Sequence, residues 1–246
     1  MIRIENLTQP YGLTNITCQI PEGKLIGIMG ANGAGKSTLL KTLAGILPIA
    51  GGEIWFNHDK LSAMSAEQKS RQLAYLAQNT EIHWDLSAYD VIALGLPNPL
   101  NRAKEQTKVR SISGTFSVSH LLEKPFRQLS GGEKARVQLA RCCIKDSPLL
   151  LADEPIAPLD PYYQIDIMEQ LKSLTPSHTV VIAIHHLSLA YKFCDDVILL
   201  NKGQVIDYGE TQRVFTAGNL AKAFSVRAVI NPEEKEISRI EKRDIM

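Results

Sequence analysis

The sequence predicts an α/β chain, a mostly parallel sheet with an antiparallel β edge and an inserted α-helical subdomain. Three observations predict it. Short apolar runs bounded by turn residues recur at 25–29, 73–77, 149–152, 179–184 and 197–200. Helical patterns lie between them, as buried parallel strands joined by crossover helices require. The first twenty residues, IRIEN and then ITCQI, alternate apolar with polar, and Asn201-Lys202-Gly203-Gln204 reads as a tight turn between two short strands. Both features place an antiparallel edge beside the parallel core. Between Gln78 and Ser147 no convincing strand pattern occurs. Instead Ser87 with Asp90 opens an apolar-periodic segment, residues 97–101 break it with Pro and Asn, and a long helix follows Ser130. This makes residues 84–147 a helical subdomain inserted into a domain spanning 1–225, with 226–246 as a C-terminal tail whose charged stretch 233–244 is expected to be a solvated end.

At 246 residues the chain is long enough for one to two domains and a sizeable core. Hydrophobic residues are 44% and charged residues 22% of it, which excludes a disordered, collagenous or coiled-coil chain. Lys and Arg number 27 against 26 Asp and Glu, a net charge of +1. So small a charge gives no global field for a nucleic acid or an anionic membrane, and nucleic acid is not an expected partner; any phosphate recognition must be local. Cys18, Cys142, Cys143 and Cys194 form no C-x-x-C pair and no disulfide framework, so they are expected to be reduced thiols in a cytosolic protein. The six His lack zinc-ligand spacing. The opening MIRIENLTQP has no apolar export region and the apolar runs are far too short to span a bilayer.

The chemistry begins at Gly30-Ala31-Asn32-Gly33-Ala34-Gly35-Lys36-Ser37, which fits G-x-x-x-x-G-K-[ST] and lies between the strand LIGIM and the helical run STLLKTLAG. Glycines at 30, 33 and 35 let backbone N–H groups turn inward as an anion nest at a helix N-terminus, beside the Lys36 ammonium. Ser37 would place its hydroxyl on Mg²⁺. The bland alternative is a glycine turn that merely links strand to helix, but chance matches to the four fixed positions arise in roughly 1% of chains of this length. The expected core is therefore that of a P-loop nucleoside triphosphatase. LLLADEP follows, where an apolar strand ends in Asp153, able to hold a Mg²⁺ shell, and Glu154, able to orient or deprotonate a water. Two solvated acids at a strand end remain the alternative for that string alone. Guanine recognition would need N-K-x-D, and Asn201-Lys202-Gly203-Gln204 ends in Gln, which disfavours it.

Leu129-Ser130-Gly131-Gly132-Glu133 is a second potential anion site. Ser130 and Glu133 form an S-x-x-E capping box, and Gly131 and Gly132 leave the first-turn N–H groups uncovered. The string has no Lys and no metal ligand, so it suggests the completion of a site built elsewhere; standing alone it would be an ordinary helix cap.

GANGAGKS, Gln78 after a strand, LSGGE, LLLADEP, Leu159-Asp160 and His185 occur in this order over about residues 2–225. In that order and spacing the chain resembles the ATP-binding subunits of ABC transporters; a five-residue string like LSGGE arises by chance in well under one chain in a thousand. The resemblance implies a RecA-like core and a second copy of the chain packed head to tail, with ATP sandwiched between the P-loop of one subunit and the LSGGE of the other. It further implies that residues 30–38, ending in Thr38, bind the phosphates with Ser130, Gly131 and Gly132 supplied from across the interface. Ser37, Asp153 and Gln78 would serve Mg²⁺, Glu154 would be the general base, and His185 would link water, base and γ-phosphate. Gln78 would sense the metal and γ-phosphate from the junction with the helical subdomain. Asp160 would sit in a loop passing between subunits, or simply cap the helix starting at Pro161. Tyr11 is the candidate to stack on adenine, although the segment from Tyr11 to the P-loop is several residues shorter than in most relatives. His186 stands where the family usually has Asp, and Pro158 stiffens the loop before Leu159-Asp160.

The stretch HWDLSAYDVIALG, the compact length and the ending GETQRVFTAGNLAKAF resemble ATPases of importers for iron siderophores, haem and cobalamin. That resemblance implies a peripheral subunit on the cytoplasmic face of the inner membrane, transmembrane permease subunits as partners, and a substrate-binding protein acting indirectly. The rival reading is a soluble ABC ATPase of iron–sulfur cluster assembly, against which stands the absence of cysteine groupings. A DNA-repair type would need zinc modules or a long coiled coil, and neither fits in this chain.

Overall fold

A computed structural model describes residues 1–78, 82, 84–96, 101–233 and 236–242. The chain opens with the strands β1 (Ile2–Gln9) and β2 (Leu13–Ile20), then runs through β3 (Leu25–Met29) into the helix α1 (Lys36–Leu43), followed by β4 (Gly51–Phe56) and β5 (Asp59–Lys60). Next come α2 (Ala66–Gln72), β6 (Leu73–Leu76), α3 (Ala88–Ala93), α4 (Arg102–Thr115) and α5 (Gly131–Cys143). The core resumes with β7 (Leu149–Asp153), α6 (Pro161–Ser173), β8 (Thr179–Ala183), α7 (Leu187–Phe193), β9 (Asp196–Asn201) and β10 (Gln204–Glu210). After α8 (Thr211–Val214) and α9 (Ala217–Phe224) the chain forms a hairpin of β11 (Val226–Asn231) and β12 (Glu236–Lys242).

The main sheet has the strand order β10-β9-β3-β8-β7-β6. Every pair in it is parallel except β9 with β10, joined through the turn at Lys202 and Gly203. Every residue of β3, β7 and β8 is buried, which is why these strands are uninterrupted apolar runs. β1, β2, β4 and β5 form a separate antiparallel sheet in the order β2-β1-β4-β5. There β2 alternates buried Leu13, Ile16, Cys18 and Ile20 with exposed neighbours, as a sheet with one wet face requires.

All five apolar runs are strands, and the edge is antiparallel. Among the described residues no strand lies between Gln78 and Ser147. Ser87 and Asp90 cap α3 reciprocally, with Asp90 N–H donating to Ser87 Oγ at 3.1 Å and Ser87 N–H to Asp90 Oδ2 at 3.0 Å. Residues 97–100 of the expected Pro/Asn break lie outside the described residues; its last member, Asn101, caps α4 by accepting from Lys104 N–H at 2.9 Å. Val91, Val109, Phe116, Leu121, Leu129 and Val137 fill the helical subdomain and are continuous with the cluster under α6 and β7.

Two elements differ from expectation. β4 carries no strand signal in the sequence, because only Ile54 of it is fully buried. The tail is not simply a solvated end either: its hairpin inserts Ala228 and Ile237 into the same apolar cluster as Tyr191 and Leu220. The charges of β12 hide that strand, since Glu236, Arg239, Glu241 and Lys242 face solvent while Ile237 turns inward. Residues 243–246, including Asp244 of that stretch, lie outside the described residues.

Candidate nucleotide site

Parallel strands deliver functional groups at their carboxyl ends, and here β3, β8 and β7 lie side by side. The end of β3 leads into residues 30–35, the end of β8 into His185, and the end of β7 into Asp153 and Glu154. β6, beside β7, delivers Gln78 at the same edge.

The loop after β3 is shaped by glycine. Gly30 has φ 155°, and a Cβ there would lie 2.3 Å from Leu200 O. Gly35 caps α1 in the left-handed region at φ 103°, where a Cβ would meet Leu13 Cδ2 at 2.7 Å. Neither position accepts a side chain, so the backbone can close over a phosphate at the start of α1. Lys36 is buried, and its Nζ donates to Gly30 O at 3.0 Å and Ala31 O at 3.1 Å. Burial pulls its pKa below the usual lysine value, while the charges of Glu154 and Asp153 oppose that shift. A buried cation held by two neutral carbonyls gains from an incoming anion.

Ser37 Oγ donates to Asp153 Oδ1 at 2.9 Å. A hydroxyl and a carboxylate side by side are hard oxygen donors suited to Mg²⁺, which takes few protein ligands and completes its shell from phosphates and water. Among the described residues no group of three or more His, Cys, Asp and Glu could hold a metal alone. Burial pushes the Asp153 carboxyl above its ordinary value against the Ser37 hydrogen bond, and the Glu154 charge adds to the rise. A carboxyl raised in this way favours the fold below its unfolded pKa, and that contribution is lost as pH rises through the folded value. Asp153→Asn keeps an acceptor for Ser37 and removes the desolvated charge. At neutral pH the nucleotide-free variant should therefore melt about 2–4 °C higher, the shift that roughly 1 kcal/mol gives a chain of this size, while ATP hydrolysis falls roughly tenfold or more. Calorimetry of both chains should show the gap opening as wild-type Asp153 ionises.

Glu154 has φ 53°, in the left-handed region that few residues other than glycine occupy. Its N–H donates to Ala183 O at 3.2 Å, which ties the bend to β8. This turn carries its half-buried carboxylate to two partners: Gln78 Nε2 donates to Oε2 at 2.8 Å, and His185 Nε2 pairs with Oε1. Non-glycine residues held in this conformation concentrate at functional sites.

Tyr11, Asn32, Gly33, Gly35, Lys36, Ser37, Thr38, Gln78, Glu154 and His185 line one open cleft of about 790 Å³. Tyr11 is 67% exposed, and its carbonyl accepts from Thr38 Oγ1 at 3.3 Å, so its ring is free to meet a base at the cleft rim. Ser130, Gly131 and Gly132 are not in that lining. They form the start of α5, where Ser130 N–H donates to Glu133 Oε2 at 2.8 Å and Glu133 N–H to Ser130 Oγ at 3.3 Å. Ser130 and Gly131 are exposed, and a Cβ on Gly131 would meet nothing within 4 Å. This is an open helix N-terminus outside the lining of that cleft, although Gly131 lines the smaller neighbouring cavity with Gln78 and Glu154. Asp160 caps α6, accepting from Tyr163 N–H at 3.3 Å with Pro161 in the first turn. The exposed His186 lies 3.5 Å from Gln164 Nε2, and Pro158 lines a smaller cavity behind Glu154. Two polar members of that cavity, Lys134 and Gln138, lie outside the residues the motifs single out; the one signal for them in the sequence is Gln138, an amide among the apolar residues of α5.

Fold and site together define a P-loop ATPase. The ABC transporter family pattern matches residues 13–157, and the chain belongs to that family. It is similar to the hemin import ATP-binding protein HmuV of Bordetella parapertussis, 34% identical over 243 residues that cover 92% of this chain and 93% of that protein. It is also similar to the cobalamin import ATP-binding protein BtuD of Halobacterium salinarum, 32% identical over 226 residues that cover 90% of this chain and 57% of that protein. The dimeric structure of MJ0796, a bacterial ABC transporter cassette, matches with a TM-score of 0.80 and 25% identity, covering 86% of this chain and 99% of that one.

Proposed function

We propose that the chain is the ATP-hydrolysing subunit of an importer for a metal chelate, an iron siderophore, haem or cobalamin, acting on a permease made by other chains. The observation that carries the hydrolytic part is the junction of the P-loop with Glu154, whose two carboxylate oxygens are held by Gln78 and His185. The importer class is supported by the hemin and cobalamin import relatives. The dimeric cassette supports pairing with a second copy of the chain; in this reading the pair is head to tail and the open start of α5 completes the partner's cleft.

In this reading the N–H groups of residues 30–35, Lys36 Nζ and Thr38 bind the phosphates, and Tyr11 stacks on the adenine. Ser37 Oγ and Asp153, with Gln78 near them, would hold Mg²⁺, which when bound would supply neutralisation of phosphate charge. Glu154 accepts the proton of the attacking water at a carboxylate oxygen. His185, sharing that carboxylate, keeps it turned toward the γ-phosphate. Asp160, at the head of α6, meets the second subunit. Closure of the dimer drives the permease, and hydrolysis resets it. A substrate-binding protein delivers cargo to the permease on the other side.

Among the described residues no helix is long and apolar enough to cross a membrane, which fits a peripheral subunit on the cytoplasmic face of the inner membrane. Trp84 and Leu94 flank α3 and are 74% and 58% exposed, apolar area of the kind a protein partner covers. The cysteines do not favour iron–sulfur chemistry. Burial pushes the thiols of Cys18 and Cys194 up to about 12 and raises Cys142 and Cys143 as well, far from the thiolates that cluster handling needs. Affinity capture of the tagged chain from detergent-solubilised membranes should bring down a polytopic permease, and with it in liposomes a metal-chelate cargo plus its binding protein should stimulate hydrolysis. Capture of soluble scaffold proteins alone would overturn the importer reading.

A further inference from the structure

Behind Glu154, on the face of the sheet covered by α5, a second cavity of about 230 Å³ is lined by Gln78, Lys134, Gln138, Asp153, Glu154 and Pro158, among others. Gln138 projects from the middle of α5 and is only 5% exposed. Neither its Oε1 nor its Nε2 has a hydrogen-bond partner in the protein. A buried amide with both ends unpaired is costly, and nearly all such groups are satisfied by protein or by ordered water. A water needs only about 10–15 Å³ and two to four polar partners. This cavity exceeds that volume many times over, and Gln78, Lys134, Asp153 and Glu154 in its otherwise mostly apolar lining supply the partners. An apolar side chain of the same length would fill this position on α5 with no desolvation cost, so the amide needs a use.

We infer that Gln138 is a positioning residue for hydrolysis: through water held in this cavity its amide steadies Gln78, and through Gln78 the carboxylate of Glu154. Gln78 already donates to Glu154 Oε2 at 2.8 Å, so whatever holds Gln78 orients the carboxylate. The inference deepens the hydrolytic reading above and rests on it. It also places the support on α5, the helix capped by Ser130, about 12 Å away along a rigid element at 1.5 Å per residue.

The test has two arms on the full chain. A high-resolution crystal structure without nucleotide should show ordered water within hydrogen-bond distance of the Gln138 amide and of Gln78; a dry cavity, or water touching neither, overturns the inference. In the kinetic arm Gln138→Met keeps the length and discards the amide. It should retain the wild-type melting temperature and an ATP KM within about twofold, while kcat falls roughly tenfold, within the about hundredfold that a 1 Å misplacement can cost. On a Gln78→Ala background the same substitution should change kcat by less than about twofold, because the group it acts through is gone. An unchanged kcat overturns the inference, as does a loss that tracks a fall in melting temperature or persists in full on the Gln78→Ala background. Wild-type turnover that Glu154→Gln removes keeps the hydrolytic reading intact even if Gln138 proves silent. Were the wild type itself inactive, that reading would fall, and the crystallographic arm would still judge Gln138.

Discussion

Glu154→Gln should lower ATP turnover by roughly two to four orders of magnitude, the usual scale for a general base, while ATP still binds. The substitution is nearly isosteric. Its amide oxygen can accept from Gln78 Nε2 as Oε2 does now, and its nitrogen can face His185, so the local frame survives. The backbone bend at φ 53° is as available to Gln as to Glu. What disappears is the basic oxygen that takes the proton from water. The phosphate-binding groups, Lys36 with its bonds to Gly30 and Ala31 and the loop shaped by Gly30 and Gly35, are untouched. Binding and hydrolysis should therefore separate cleanly. Equilibrium nucleotide titration should give an affinity within a few-fold of wild type, phosphate release should collapse, and sedimentation with ATP present should show dimers accumulating, since the step that opens them no longer occurs. Near-normal phosphate release would remove Glu154 from the role of base and leave the junction with Gln78 and His185 without a reaction.

What could be read from the sequence divides along a physical line. β3, β7 and β8 are buried on both faces, so their residues are apolar whatever their neighbours, and runs such as LIGIM and TVVIA stand out. β4 and β12 have only one buried residue each, and a single Ile54 or Ile237 among glycines or charges carries no period. The candidate site stands out for a different reason: binding phosphate on bare backbone would require glycines at set intervals, and holding a metal beside a base would require adjacent acids at a strand end. Those demands are local in the chain. Two features were not local. The left-handed turn at Glu154 is tied to Ala183 across the sheet by a backbone hydrogen bond, and nothing in the residue type announces it. Gln138 shows in the chain only as an amide among the apolar residues of α5; that it lines a cavity with Glu154 follows from packing α5 against β6. The string at Asp160 had two readings, and its capping bond to Tyr163 establishes one without removing the other, because an exposed capping residue can also face a second subunit.

Mixing two inactive variants should restore hydrolysis if the cleft of one chain is completed by the α5 start of another. Ser130→Arg places a bulky cation at that helix start and breaks the capping box with Glu133, so it injures the site donated to the partner while leaving its own P-loop whole. Lys36→Ala does the reverse: its cleft loses the buried ammonium that gathers the phosphates, and its Ser130 is intact. Each variant alone can form only dimers in which both clefts are defective. In the mixed dimer one cleft pairs the intact P-loop of the first chain with the intact Ser130 of the second, and the other cleft combines both lesions. Random assortment makes half the dimers mixed with one sound cleft in each, so independent clefts would recover up to about a quarter of wild-type turnover. Strict cooperation between clefts would recover less, but still more than either parent. The measurement is phosphate release against mixing ratio and total concentration: activity should peak near equal proportions and rise with concentration as dimers form. A cleft complete within a single chain would behave differently, because Ser130→Arg alone would then remain active, turnover would be independent of concentration, and mixing would give only the average of the two parents.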